Sequence, residues 1–447
     1  MALTGVQIFK LLPKTNCKKC GHPTCLAFAM KLAQRQVELD LCPDASDEAK
    51  KSLGEASAPP IRPVTMGQGE KAVKAGEELS LFRHEKKFIH PTVITLGIKD
   101  TESDDVVAKK IGDILSSEID RVGQKLRIDA VAIINESGDA GKFDKLAVSV
   151  ADKLKDVPAI ICTSNPDAAR LAIAHFSGKN PILYGANAVN ADAMAALAKE
   201  HKAILGVKAE GLDALTDLVE KFKGLGIVDM VLDSGAKSGK EIIEHNTLIR
   251  RAAIKKGDKS VGFPVINFVE RSNPTHEAMV AGLCIAKYGG IVVINSAEKW
   301  KNLVMFAIRQ NIFTDPQVPM QVKQNIYDIG AVSASSPLLI STNFSLTYFI
   351  VSGEIENSKI PTRLAVMDCE GLSVLTAWAA GKFTAAKIAE FIKESGIGDK
   401  IATKELILPG YVAILSGSLE DKLEGWKITV GPREANAIPA YLKSRAA

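Results

Sequence analysis

Four cysteines fall within the first 42 residues, Cys17, Cys20, Cys25 and Cys42, and their spacing suits a metal centre. In the run Cys17-Lys18-Lys19-Cys20-Gly21-His22-Pro23-Thr24-Cys25 the first two can reach neighbouring irons of a cubane from one tight loop. Gly21 and Pro23 supply the bend that brings in the third. Cys42 stands 17 positions beyond Cys25, is followed by Pro43, and completes a four-thiolate set. A structural zinc ion also takes four thiolates. Zinc ribbons place two close pairs on two knuckles, whereas here three ligands crowd one loop and the fourth stands alone. The preferred reading is a [4Fe–4S] cluster on these four cysteines, with zinc and then disulfides as alternatives. Cys162, Cys284 and Cys369 are scattered, lie in or beside apolar runs, and are expected to be buried core thiols. His22 is expected beside the ligands, not among them. Lys10, Lys14, Lys18 and Lys19 make the region basic, either as a solvated face or as a landing site for an acidic electron donor.

The remainder of the chain must hold and serve such a centre. It has 447 residues, 46% hydrophobic and 24% charged, with net charge +4, which predicts two to four soluble globular domains. No basic, aromatic-laced stripe marks a nucleic-acid binder. No apolar run approaches the ~20 residues that span a bilayer. The N-terminus carries no basic-then-apolar leader pattern, so a cytoplasmic location is expected. Residues 1–57 form the cluster domain, with helices expected at Gly5–Leu12 and Leu26–Val37. Residues 58–92, opening on the proline-rich Ala56–Pro63 stretch, read as a linker, a tether of roughly 30 residues that lets the cluster domain approach and withdraw.

From Val93 a β/α rhythm sets in. Eight apolar runs (Val93–Ile98, Ala130–Ile134, Ala159–Cys162, Ile182–Tyr184, Ala203–Val207, Met230–Leu232, Pro264–Phe268 and Ile291–Ile294) alternate with helical stretches such as Asp104–Arg121. Residues 93–325 are therefore expected to form a (β/α)8 TIM barrel, with an open doubly wound sheet as the alternative. Polar residues gather where its strands should end: Asn135-Glu136, Thr163-Ser164-Asn165, Asp233-Ser234, Asn267 and Asn295. No Ser/His/Asp set or HExxH-type motif accompanies them, so a scaffold is favoured over an active site. Residues 326–447 make a smaller Rossmann-like α/β domain with strands at Leu338–Ser341, Leu364–Asp368, Glu405–Leu408 and Trp426–Val430. Three of its strand–glycine–helix junctions, at Gly371, Gly410 and Gly431, together with Ser341-Thr342-Asn343, favour a ligand crevice at the strand ends.

The segment Asn16–Met30 resembles the N-terminus of the corrinoid/iron–sulfur protein large subunit of the acetyl-CoA (Wood–Ljungdahl) pathway. The resemblance continues in Thr314–Pro319, Thr342–Tyr348, Asp368–Ala377 and Val430–Ala435, and so spans the chain. It implies an α/β multidomain protein with a small N-terminal [4Fe–4S] domain, a central TIM barrel and a C-terminal corrinoid-binding domain. The corrinoid contacts it implies are Thr342, Thr347, Gly371, Leu372, Ser373, Val374, Leu375, Thr376, Gly410, Gly431, Arg433, Glu434 and Ala435. The implied role is that of a methyl carrier. The corrinoid cobalt accepts methyl from methyltetrahydrofolate through a separate methyltransferase and passes it to acetyl-CoA synthase, while the cluster returns Co(II) to Co(I). The implied partners are a small subunit in a heterodimer, the methyltransferase, acetyl-CoA synthase, and a low-potential electron donor or reductive activator. All seven histidines precede residue 277, and no Asp-x-His-x-x-Gly motif is present, so a base-off cobalt without a histidine ligand is expected. A barrel methyltransferase acting directly on methyltetrahydrofolate, or an electron-transfer scaffold without corrinoid, remain the alternatives.

Overall fold

A computed structural model describes residues 5–33, 37, 39–46, 59–122, 124–269 and 273–446. The chain divides into two units. One is Met1–Glu118 with Arg127–Phe313; the other is Ile119–Leu126 with Thr314–Ala447.

The first unit begins with two short helices, α1 (Gly5–Leu11) and α2 (Cys25–Ala33). Ile8 and Leu12 meet Phe28, Ala29 and Leu32 in a miniature core that also buries Cys25 and Cys42. So small a core is marginal on apolar burial alone, which is the situation in which a metal centre adds stability. Helix α2 is described over Cys25–Ala33 of the helix expected to reach Val37. Residues 34–36 and the Ala56-Ser57-Ala58 start of the expected linker lie outside the described residues.

The stretch from Ile61 to Thr92, expected as linker, is folded. β1 (Val64–Met66) and β2 (Val73–Ala75) form an antiparallel hairpin whose Val64, Met66 and Ala75 join the barrel core. Arg62 donates its backbone N–H to Gly262 O, and Gly67 N–H donates to Asn180 O, so the hairpin caps the N-terminal end of the barrel. Glu78 then pairs with Arg250 at 2.9 Å in a buried site where the guanidinium also stacks on Phe88 and Tyr288. Sequence periodicity did not signal this because three-residue strands show too few alternations.

Eight parallel strands close the barrel: β3 (Val93–Lys99), β6 (Ala130–Ile134), β7 (Ala159–Cys162), β8 (Ile182–Ala186), β9 (Ile204–Lys208), β10 (Met230–Asp233), β11 (Val265–Phe268) and β12 (Gly289–Ile294). Inward residues such as Val93, Ala130, Ile160, Ile182, Ile204, Val231, Ile266 and Ile291 fill it as a core, not a pore. The intervening β4 (Ile119–Arg121) and β5 (Gln124–Leu126) are a hairpin in a place where the sequence predicted a helix running to Arg121. The helix stops at Leu115 because Ser116 and Ser117 turn their hydroxyls back onto the carbonyls of Gly112 and Ile114.

The second unit starts at Thr314, twelve residues before the expected 326, because Val322 is built into its core. β13 (Asn325–Ile329), β14 (Leu338–Thr342), β15 (Thr362–Met367), β16 (Glu405–Leu408) and β17 (Lys427–Val430) form one sheet in the order β13-β15-β14-β16-β17. β13 is antiparallel and the other pairings are parallel. Alternation sorts the side chains cleanly. Leu338, Ile340, Ala365, Met367, Leu406 and Leu408 pack under one helical layer, and Leu339, Leu364, Val366 and Ile407 under the other. The barrel-chain hairpin contributes Val122 to that second layer. Without β13, the parallel order is that of a doubly wound flavodoxin-like sheet, whose switch point falls between β14 and β16. Sequence reasoning missed β13 and the helix Ser345–Ser358, whose apolar residues are spread around its circumference among polar ones and so form no helical stripe.

Candidate functional site

The cysteine loop winds through an unusual backbone. Lys14, Asn16, Lys18 and Gly21 all have left-handed φ, between 48° and 79°. Such turns gather N–H groups into concavities that hold anions, iron–sulfur clusters among them. Asn16 donates its N–H to Cys25 Sγ at 3.4 Å, and its side-chain Oδ1 accepts from Cys25 N–H at 2.8 Å, which fixes the third cysteine against the loop. Cys42 follows the 3₁₀ turn Leu39–Leu41 and is tied in by its own N–H to Leu39 O. Lys19 Nζ meets Asp44 Oδ1 at 3.0 Å and clips the two cysteine segments together. Burial pushes the Cys42 thiol up, the Asp44 N–H pulls it down, and Cys20, Cys25 and Cys17 add to the upward push.

Among the described residues no three cysteine, histidine or acidic side chains converge closely enough for a single ion. A cubane gives each cysteine its own iron, and four thiolates on this left-handed loop backbone fit such a cluster. His22 stands beside Phe28, with ring centroids 5.6 Å apart.

The second candidate is a cleft of about 370 Å3 at the carboxyl ends of β14, β16 and β17 in the second unit. Leu339, Ile340, Ile407 and Leu408 floor it at the switch point of the sheet. Thr347, Ile350 and Val351 of the helix Ser345–Ser358 form one wall, and Ser373, Val374 and Leu375 another. Gly431, Pro432, Arg433, Glu434 and Ala435 close the third side, where Arg433 supplies positive charge and Tyr411 bonds to Glu434. Ser341 faces the cleft with its hydroxyl buried and unpartnered. A buried hydroxyl without a hydrogen bond is costly, so a ligand acceptor here would recover that cost. Apolar floor, orphaned hydroxyl and one cation together fit a corrinoid, which presents an apolar ring edge, amides and a phosphate.

Of the expected contacts, the structure brings Thr347, Ser373, Val374, Leu375, Gly431, Arg433, Glu434 and Ala435 to the lining. Thr342, Gly371, Leu372, Thr376 and Gly410 do not line it. Thr342 alternates to the opposite face of the sheet, and its buried hydroxyl is also unpartnered. Thr376 Oγ1 lies 2.9 Å from Ser373 Oγ. Leu372 packs on the core of the helical layer carrying Phe383 and Ile388. The two glycines serve chain against chain. A Cβ at Gly410 would lie 2.6 Å from Gly431 O, and one at Gly371 would lie 2.8 Å from Gln321 Cγ. Ser341 was expected at the crevice as part of Ser341-Thr342-Asn343, though not as a named contact; Ile350, Val351, Pro409, Tyr411 and Ile438 were not expected contacts. No pattern marked the helix that carries Ile350 and Val351.

The barrel mouth spends most of its polar groups on itself. Asn135 Nδ2 donates to Thr163 Oγ1, Lys110 Nζ to Asn295 Oδ1, and His245 contacts Ser234. Asn267, expected at a strand end, lies within β11 and accepts from Asn246 Nδ2 of the helix Gly239–Arg251. Tyr184 OH donates to Asp233 at 2.5 Å, and burial holds the Asp233 carboxyl above its usual range.

Residues 63–442 match the family described as "CO dehydrogenase/acetyl-CoA synthase delta subunit", and residues 12–43 the one described as "Putative Fe-S cluster". The chain is 44% identical, over the full length of both, to the "Corrinoid/iron-sulfur protein large subunit" of Moorella thermoacetica. It is 33% identical, over 99% of both chains, to the "Acetyl-CoA decarbonylase/synthase complex subunit gamma" of Methanothermobacter thermautotrophicus. The corresponding gamma subunit of Archaeoglobus fulgidus is also 33% identical, over 98% of this chain and 97% of that one.

Proposed function

The chain belongs to the family of corrinoid/iron–sulfur protein large subunits, and on that premise we propose that it is a methyl carrier of acetyl-CoA chemistry. The observation that carries the reading is the strand-end cleft with its orphaned Ser341 hydroxyl, in a unit free of histidine, on the same chain as a four-cysteine loop. When bound, the corrinoid supplies a cobalt that takes methyl from methyltetrahydrofolate by way of a methyltransferase and gives it to acetyl-CoA synthase, and the cluster supplies the electron that returns Co(II) to Co(I).

The residues of this chain have definable tasks. Cys17, Cys20, Cys25 and Cys42 would hold the cluster, and the left-handed loop would direct N–H groups toward its negative charge. Ser341 would donate to an acceptor of the corrinoid, and Arg433 would face its phosphate. The apolar floor would exclude water from the ring edge. No histidine stands in residues 277–447 or 119–126 to ligate cobalt, which supports a base-off form. The proposed partners are a small subunit in a heterodimer, the methyltransferase, acetyl-CoA synthase and a low-potential electron donor or activator. The proposed setting is the cytoplasm, where reducing conditions keep cluster thiols free.

Iron and cobalt content with an anaerobic absorption spectrum tests this on the chain co-expressed with its small subunit and supplied with corrinoid. About four irons and one cobalt per chain, as one cubane and one corrinoid require, are expected, with a Co(I) band after strong reduction. Iron without cobalt would reduce the protein to an electron carrier; zinc in place of iron would remove the redox role.

A further inference from the structure

Asn343 follows β14 directly, is 2% exposed, and does not line the cleft. Its amide is nevertheless fully engaged. Oδ1 accepts from the backbone N–H of Cys369 at 2.9 Å and of Gly371 at 3.0 Å. Nδ2 donates to Asp368 Oδ1 at 2.8 Å and to Gln321 Oε1 at 3.4 Å. Its backbone carbonyl accepts from Val322 N–H, and its own N–H donates to Met367 O. One buried side chain thereby joins three segments of the second unit.

The turn it holds is one that the backbone resists. Glu370 and Gly371 are consecutive left-handed residues, with φ of 57° and 73°, a state a glutamate avoids unless its surroundings impose it. The two N–H groups captured by Asn343, at Cys369 and Gly371, flank Glu370 on either side. Glu370 N–H is held in turn by Asp368 Oδ1. Two residues past Gly371 the chain reaches Ser373, Val374 and Leu375, one whole wall of the cleft. The position of that wall is thus set by the turn, and the turn by Asn343.

We infer that Asn343 is a positioning residue for the corrinoid: through the Asp368–Gly371 turn it places the Ser373–Leu375 wall, without touching the cofactor itself. The inference rests on the corrinoid reading of the cleft given above.

The hydrogen-bond chemistry supplies a test that separates positioning from mere shape. Asn343→Asp keeps the shape and the Oδ1 acceptor but turns the donor into an oxygen facing the exposed Asp368 carboxylate, and two carboxylates in contact repel. Asp368→Asn alone leaves a workable pair, because the Asn343 amide can donate to an amide oxygen. Exchanging both residues, N343D with D368N, removes the repulsion between carboxylates but recovers only part of the pairing, because Asp368 Oδ1 also accepts from Glu370 N–H.

The measurement is an anaerobic spectral titration with cobalamin of the full chain with its small subunit, alongside bound cobalt and thermal unfolding of the unloaded proteins. N343D is expected to weaken binding at least tenfold, about 1.4 kcal/mol. D368N is expected to stay within about threefold of the parent, less than 1 kcal/mol by the same conversion, and the exchanged pair to recover part of the N343D loss. Unchanged affinity in N343D overturns the inference, as does an exchanged pair that binds no better than N343D. A parent protein that takes up no cobalamin sinks the corrinoid reading itself, and the inference with it.

Discussion

At the scale of single residues, the two sites differ in how they show themselves. The cysteines are legible because cluster chemistry admits few ligand types, and Cys17, Cys20 and Cys25 crowd one loop. Corrinoid contacts use ordinary residues, so their identity carries little information, and the geometry has to pick them out. Ser341 is the clearest case, a buried hydroxyl that lacks a partner and faces the cleft. Removing it should have opposite effects with and without ligand. Ser341→Ala should leave the unloaded protein as stable or more stable by up to about 1 kcal/mol, since an unsatisfied buried group is gone. The same change should weaken corrinoid binding by about fivefold to tenfold, the worth of one hydrogen bond. Unfolding of the unloaded protein and a cobalamin titration read the two effects. Destabilisation of the unloaded variant by more than 1 kcal/mol would mean that the hydroxyl has a protein partner after all.

At the scale of elements, glycine and short hairpins do work that periodicity does not announce. Gly410 and Gly371 were expected at the cofactor because glycine admits close approach. They do admit close approach, but of Gly431 and of Gln321. The hairpin β1–β2 and the following Glu78 replace what read as linker with a cap on the barrel's N-terminal end, held by the buried Glu78–Arg250 pair. Arg250→Met should therefore destabilise the barrel by about 3 kcal/mol, because it strands the Glu78 carboxylate in a dry site. Adding Glu78→Gln should recover part of that loss. The midpoint of chemical denaturation reports both. Equal midpoints for the parent and Arg250→Met would show that residues 77–90 contribute nothing to barrel stability.

At the scale of the whole molecule, the chain folds as two units whose membership does not follow the order of the sequence. Residues 119–126 leave the barrel chain to give Val122 to the core of the second unit. Two thermal transitions are expected, and corrinoid at a hundred times its Kd should raise only the one belonging to residues 314–447, by about 2.7 kcal/mol. A shift of the barrel transition instead, read by calorimetry, would place the corrinoid elsewhere. By itself the sequence determined the barrel and the doubly wound C-terminal sheet, and singled out four cysteines as candidate cluster ligands. Thiolate spacing and the alternation of β-branched runs with helical stretches are local properties, each readable within about twenty residues. Only the tertiary structure decided which residues line the cleft, that the helix Ser345–Ser358 walls it, that Asn343 hydrogen-bonds the turn before the Ser373–Leu375 wall, and that a barrel hairpin belongs to the other unit. Those depend on which strand ends meet at the switch point between β14 and β16, on which buried polar groups find partners there, and on contacts between residues some two hundred positions apart, none of which leaves a periodic trace in the chain.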